Sequence, residues 1–151
     1  MARNNFFSVY PTDTNTDGTR YQVEAGATPI LAGEPVIQDP ASPQYVIAAP
    51  DGADNTSTWI GVAQTNSTET ATGDGQVSVT DDPKVLYRGK ALDPSILSPG
   101  ISNTKVTVSL VGDQYTVNAG TTLNGVLTLH EVNAAAGTVD FRISASATLD
   151  N

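Results

Sequence analysis

The sequence predicts an all-β fold, and two observations carry the prediction. Threonine, valine, glycine, asparagine and aspartate dominate the chain, and these residues favour strands and tight turns over long helices. Several segments also alternate apolar and polar side chains with the period of two that a half-buried strand requires. The pattern occurs twice along the chain, which predicts an internally duplicated β unit.

The duplication is centred on two short glycine-valine segments, 59–63 and 123–127, which read Trp-Ile-Gly-Val-Ala and Leu-Asn-Gly-Val-Leu. Each follows an aromatic strand start and precedes a strand that a glycine opens. The matching positions are Tyr45 and Tyr115, which are 70 residues apart, Gly61 and Gly125, which are 64 apart, and Val77 and Val139, which are 62 apart.

Length and charge limit the classes of protein that the chain can belong to. At 151 residues it can bury about 70% of the surface that the unfolded chain exposes, so we expect one domain or two small packed lobes. It contains no cysteine, which excludes disulfides within the chain and thiolate-bound metals. A net charge of −9 disfavours nucleic acid as the partner. No apolar run reaches the length of a signal peptide or a membrane span, so we expect a soluble, non-secreted protein that binds no membrane.

Residues 1–28 are predicted to form an N-terminal arm, ahead of an all-β domain at 29–151. Phe6, Phe7 and Tyr10 follow no periodicity that would place them in a core. One interpretation is an extended aromatic arm that docks on a neighbouring subunit. The other is a first edge strand that packs on its own domain, and the sequence leaves both open.

Part of this arm matches a calcium-binding loop, with oxygen ligands at its positions 1, 3, 5 and 12. The ligands would be Asp13, Asn15, Asp17 and Glu24. However, Arg20 stands where such loops usually carry an apolar residue, and prolines and glycines replace the flanking helices. A solvated turn is therefore the favoured interpretation, and no metal or other cofactor is predicted.

The first β unit is predicted to span 29–91. A turn at 32–35 precedes an apolar strand, and prolines then break the chain before the strand that Tyr45 opens. Val77 and Val79 share one face of a later strand, because polar residues alternate with them.

The segment 84–91 is locally basic, and a period of two places Lys84, Arg88 and Lys90 on the face opposite Tyr87. These three cations are candidates for contact with an acidic partner surface. The alternative, which we favour, is a solvated strand face that balances an acidic protein.

The second unit is predicted at 105–144, after a linker that has room for one turn of helix at 95–97. Within this unit, Asn124 and Gly125 are compatible with a hairpin turn, although the corresponding glycine of the first copy favours a bulge at this point. The last clear strand, 139–143, alternates apolar and polar side chains.

The chain carries no recognisable catalytic motif. His130 is the only histidine, so a site with several imidazoles is excluded and a serine-histidine-acid triad would depend on this residue. No serine lies in a nucleophile elbow, and no glycine-rich loop precedes the lysine of a phosphate site. The neighbours Asp81 and Asp82 are interpreted as a turn into Pro83. We therefore expect a protein that is not an enzyme and assign no catalytic residue.

Four short motifs follow one another in the first unit. They are Ala-Gly-Glu-Pro-Val at 32–36, Ile-Gly-Val-Ala at 60–63, Gly-Gln-Val-Ser-Val at 75–79 and the strand at 85–91. In this order they resemble the decoration (cement) proteins on the heads of tailed bacteriophages. The resemblance implies a small barrel-like, β-tulip or sandwich domain that sits on the outer surface of the capsid.

The resemblance further implies that the protein binds the major capsid protein, forms a homotrimer and stabilises contacts between capsomers in the virion, after synthesis in the host cytoplasm. The predicted contact residues lie on the arm and on the basic strand: Phe6, Phe7, Tyr10, Lys84, Arg88 and Lys90. Two alternatives stay open. One is a β module of a phage tail or fibre, and the other is a carbohydrate-binding β-sandwich, for which Trp59 would be the only tryptophan platform.

Overall fold

Eleven strands and two single turns of 3-10 helix make up the part of the chain that the computed structural model describes, which is residues 8–10, 18–80, 85–101, 104–111, 114–122 and 124–143. The 3-10 turns are Pro94–Ile96 and Pro99–Ile101. The strands are β1 (Ser8–Tyr10), β2 (Thr19–Val23), β3 (Pro35–Gln38), β4 (Val46–Ala48), β5 (Trp59–Ala63), β6 (Gly75–Thr80), β7 (Leu86–Lys90), β8 (Lys105–Val111), β9 (Gln114–Asn118), β10 (Leu127–Asn133) and β11 (Thr138–Ile143).

The strands form two sheets in which every paired strand is antiparallel to its neighbour, and the predicted all-β fold class is confirmed. One sheet has the order β2-β6-β5-β3-β4, and we call these five strands unit one. The other has the order β1-β7-β11-β10-β8-β9, and we call its last five strands unit two. Two of the strands, β1 and β2, come from the segment that the sequence assigns to an arm. β1 adds to the edge of unit two by pairing with β7.

The two units have the same connectivity. Each strand of unit one has its counterpart five strands later in unit two, so that β2 corresponds to β7 and β6 corresponds to β11. Unit two also approaches a closed barrel. In unit two, Ala91 forms a parallel bridge with Val117, and the Leu92 N–H donates to the Val117 carbonyl at 2.9 Å. In unit one, β2 contacts β4. Closure of this kind hides the free strand edges that would otherwise invite aggregation.

Strand register shows which residues of the two units are equivalent. Arg20 of β2 lies opposite Ser78 of β6, and Arg88 of β7 lies opposite Asp140 of β11. The spacing of 62 residues from Val77 to Val139 therefore identifies true counterparts.

The other two spacings do not identify counterparts. Val62 lies opposite Thr80 of β6, and Thr128 lies opposite Arg142 of β11, which is 62 residues after Thr80. The counterpart of Gly61 is therefore Leu127 and not Gly125. Tyr45 and Tyr115 also differ in their surroundings, because the Tyr45 hydroxyl donates to the exposed Asp74 at 2.8 Å while Tyr115 is fully buried.

Two hydrophobic cores hold the molecule together. One lies within unit one and is formed by Val23, Ile30, Val36, Val46, Ile60, Ala63, Val77 and Val79. The other fills unit two and is shared, because Ile37, Trp59 and Val62 of unit one pack into it. We call this second cluster the shared core.

A bulge in β5 allows this strand to contribute side chains to both cores. The register against β3 slips between Val36 and Ile37, so that one residue of β5 is extra. As a result, Trp59 and Val62 face the shared core, while Ile60 and Ala63 face the core of unit one.

The loop 49–55 of unit one inserts into unit two. β8 and β10 pair only where Lys105 and Val106 meet the start of β10, and the inserted loop occupies the gap beyond. The contacts are the Gly52 N–H to the Val108 carbonyl at 3.1 Å, the Asn55 N–H to the Asn124 carbonyl at 2.9 Å, and the Tyr115 hydroxyl to the Ala49 carbonyl at 2.6 Å.

Asn124 and Gly125 form neither a hairpin nor a bulge, so both predictions for this pair are wrong. The Gly125 N–H donates to the Thr122 carbonyl at 3.2 Å, and Asn124 has a φ of 56°, which asparagine tolerates better than most residues. The pair therefore makes a turn before β10 starts. The bulge of β10 lies further on, between Leu129 and Glu131.

Candidate functional site

The structure describes only some of the residues predicted to contact a partner, and these lie on β1 and β7. Phe6, Phe7 and Lys84 lie outside them, as do the calcium-loop candidates Asp13, Asn15 and Asp17. The backbone of Tyr10 pairs with Leu86, which places this part of the arm along β7. Glu24 and Lys90 are exposed.

Arg88 forms the only salt bridge found among the described residues, with Asp140 of the neighbouring strand. The Arg88 Nε donates to Oδ1 at 2.8 Å and Nη2 donates to Oδ2 at 3.2 Å. Asp140 is only 4% exposed although its chain neighbours Val139 and Phe141 point into the shared core. The fork of two parallel hydrogen bonds is the strong form of an arginine–carboxylate contact.

This pair lies at the base of an open cleft on the outer side of unit two. The cleft has a volume of about 510 Å³. Two carboxylates, one arginine and several smaller side chains line it. They are Arg88, Glu131, Val132, Asn133, Ala134, Ala136, Thr138 and Asp140. We call it the unit-two cleft.

An equivalent cleft lies on unit one, with a volume of about 350 Å³. Polar side chains predominate among the described residues that line it, and none of these residues is acidic: Arg20, Thr65, Asn66, Thr68, Gln76, Val77 and Ser78. We call it the unit-one cleft. Since Arg20 and Ser78 occupy the register positions of Arg88 and Asp140, the two clefts are the same feature of the duplicated fold.

Outside the two clefts, one tryptophan and two carboxylates could suggest a binding or catalytic site, but each of them has a structural role. Trp59 is fully buried, and its Nε1–H donates to the Asp54 carbonyl at 2.8 Å, so it offers no platform to a sugar. Thr56, through its hydroxyl and its N–H, holds the pKa of Asp54 below its usual value, and Ser95 does the same to the pKa of Asp93. Both carboxylates cap local turns, which explains their low pKa without catalysis.

Within the ranges that the structure describes, no three histidine, aspartate or glutamate side chains are grouped so that they could hold a metal ion. The described helices are single 3-10 turns, and none is long and apolar enough to cross a membrane.

Three of the motifs that carry the family resemblance meet at one place in unit one. The Gly33 N–H donates to the Ala63 carbonyl at 2.8 Å, and the Ala63 N–H donates to the Glu34 carbonyl at 2.9 Å. Glu34 is fully buried, and its Oε1 accepts the Leu31 N–H at 2.8 Å. Ala63 in turn lies opposite Val79 of β6.

No protein-family model matches this chain, and neither a curated protein nor a solved structure matches it.

Sequence reasoning missed the unit-one cleft, because Arg20 drew attention only as the residue that spoils a calcium loop. A signal was nevertheless present. The 62-residue spacing that relates β6 to β11 pairs Ser78 with Asp140, and strand pairing then adds an arginine to each.

Proposed function

We propose that this protein is a decoration protein of a tailed bacteriophage, which binds the outer surface of the head and stabilises contacts between capsomers of the major capsid protein. The observation that carries the proposal is the meeting of the motifs at Gly33–Glu34, Ala63 and Val79. The three motifs lie on or directly before β3, β5 and β6, which are neighbouring strands of one sheet. These are joined by backbone hydrogen bonds around a buried glutamate, as expected of residues that define one family's fold.

The architecture suits a protein that must resist force without chemistry of its own. Two β units joined through a shared core form a stiff body, and a net charge of −9 favours solubility at high local concentration. Exposed apolar side chains at Leu92 and Ile96 supply contact area for the capsid or for neighbouring copies, and a homotrimer would use each such contact three times.

The test is binding of the purified protein to heads that lack it, measured by co-sedimentation. We expect saturable binding of the full chain. Deletion of residues 2–10 removes β1 and the aromatic residues before it, so we expect it to weaken binding strongly.

The truncated chain must still be folded for this comparison, and far-UV circular dichroism and a melting curve supply that control. Equal binding by a folded truncated chain would refute the role of the arm. Absence of binding by the full chain, under conditions in which heads bind a known decoration protein, would refute the proposed function itself.

A further inference from the structure

The unit-two cleft shows what an arginine at this position of the fold binds. Arg88 holds the carboxylate of Asp140 through a fork, with donor–acceptor distances of 2.8 Å and 3.2 Å. The planar guanidinium matches a carboxylate in this geometry better than any other cationic side chain does. In unit two, the chain itself supplies the carboxylate.

Unit one has the arginine without the carboxylate. Arg20 lies at the register position of Arg88, but the residue opposite it is Ser78, and none of the described residues that line the cleft is acidic. Among the residues that the structure describes, the Arg20 side chain has no hydrogen-bond partner and no ion-pair partner. Lys90 and Lys105 also have no salt bridge within the part of the chain that the structure describes, but neither of them lines a cleft as Arg20 does.

The other side chains of the unit-one cleft also present donors. The Thr65 hydroxyl accepts the Ser78 N–H at 3.2 Å, which leaves its own proton to donate. The Asn66 Oδ1 accepts the Ala32 N–H at 2.9 Å, which leaves its NH₂ group as a donor. Ser78 and Gln76 add a hydroxyl and an amide. A cation surrounded by neutral donors is suited to an anionic group.

We propose that the unit-one cleft binds the carboxylate of an acidic peptide segment, with Arg20 as the residue that holds it. The guest carboxylate takes the place relative to Arg20 that Asp140 takes relative to Arg88. The cleft, at about 350 Å³ and open to the surface, is large enough for an acidic side chain together with its backbone. The site is argued from the duplication of the fold and does not depend on the capsid role.

The experiment is a titration of the full chain, followed by the nuclear magnetic resonance signal of the Arg20 Nε–H group. The probe is a blocked triglutamate peptide, and a blocked triglutamine peptide is the uncharged control. We expect triglutamate to shift the Arg20 signal saturably and triglutamine to leave it unchanged. Arg142, an exposed arginine outside both clefts, serves as the internal reference and should shift far less.

Two substitutions at one position make the test specific. Ser78→Asp supplies an internal carboxylate, as Asp140 does in unit two, and should weaken triglutamate binding at least about tenfold, or about 1.4 kcal/mol. Ser78→Asn introduces a side chain of nearly the same size as Ser78→Asp but without the charge, so this variant should bind triglutamate like the wild type. Arg20→Lys keeps the charge but loses the fork, so binding should weaken.

Three results would overturn the proposal. The first is an Arg20 signal that does not respond to triglutamate, or that responds no more than Arg142 does. The second is equal binding by Ser78→Asp and Ser78→Asn. The third is that acetate shifts the Arg20 signal at the same carboxylate concentration as triglutamate does, which would show that the cleft does not recognise a peptide.

Discussion

The Asp74 carboxylate forms hydrogen bonds to two separate segments of unit one. Its Oδ1 accepts the Ala25 N–H at 2.9 Å, and its Oδ2 accepts the Tyr45 hydroxyl at 2.8 Å. One carboxylate thus joins the segment that follows β2 to the residue that precedes β4, and these two strands are the edges of the sheet of unit one.

The Tyr45 contact makes a prediction about pH. The hydrogen bond to Asp74, followed by burial and by the charges of Asp74 and Glu24, raises the pKa of Tyr45 above its ordinary value of about 10. Because the folded state favours the protonated phenol, this contribution to stability is fully present below pH 10 or so and is lost as the pH rises through the raised value. We expect a ¹³Cζ titration of Tyr45 to show the raised pKa and Asp74→Asn to return it toward the ordinary value. The same pKa in both proteins would refute the contact.

Trp59 is the largest side chain in the shared core, and a truncation there should be costly. We expect Trp59→Ala to lower the free energy of unfolding by about 3–5 kcal/mol, because it leaves a cavity where both units meet. Trp59→Phe keeps much of the packing and loses mainly the hydrogen bond to the Asp54 carbonyl, so its cost should be clearly smaller. Urea denaturation measures both, and equal small losses would contradict the assigned position of Trp59.

At the scale of elements, the inserted loop 49–55 joins the two units. Its strongest side-chain anchor is Asp51, whose Oδ1 accepts the Leu110 N–H at 2.8 Å and the Ser109 hydroxyl at 3.2 Å. We expect Asp51→Ala to destabilise the protein by about 0.5–1.5 kcal/mol, the net contribution of an ordinary hydrogen bond, because the contact to the Leu110 N–H is exposed and water can replace the lost acceptor. Ser109→Ala removes only the weaker contact and is the matched control. A Ser109→Ala loss as large as that of Asp51→Ala would show that Asp51 is not the anchor.

Strands were predicted correctly from the sequence where apolar and polar side chains alternate without interruption. β6 and β11 were found in their correct correspondence, because a glycine is the first residue of β6 and directly precedes β11, and both strands alternate valine or phenylalanine inward. Prediction failed where loops and bulges shift the register. The bulge of β5 and the turn at Asn124 move the glycine-valine segments out of correspondence by two residues, and no local pattern signals that shift.

The candidate site was harder to predict than the strands. Arg88 and Lys90 were singled out as basic residues, but only pairing across β7 and β11 shows that Arg88 already holds a carboxylate. Arg20 lies in the calcium-loop match and Ser78 in the motif at 75–79, and neither motif relates these two residues, which are 58 positions apart. Their relation depends on β2 pairing with β6, which skips three intervening strands.

For the whole molecule, the shared core and the inserted loop predict that both units unfold together. Trp59 belongs to unit one but is buried among side chains of unit two, so its fluorescence reports on both. We expect denaturation followed by this fluorescence and by far-UV circular dichroism to give a single coincident transition. Two separate transitions would mean that the units are independent domains joined only by the chain.

The capsid role is tested most directly by the number of copies of this chain in purified virions, measured by quantitative mass spectrometry against the major capsid protein. A decoration protein that covers the head should be present at about one copy per capsid subunit or at a simple fraction of that number, since it follows the symmetry of the lattice. A few to a few dozen copies would contradict this role and place the protein in the tail, and its absence from virions would contradict any role in the particle.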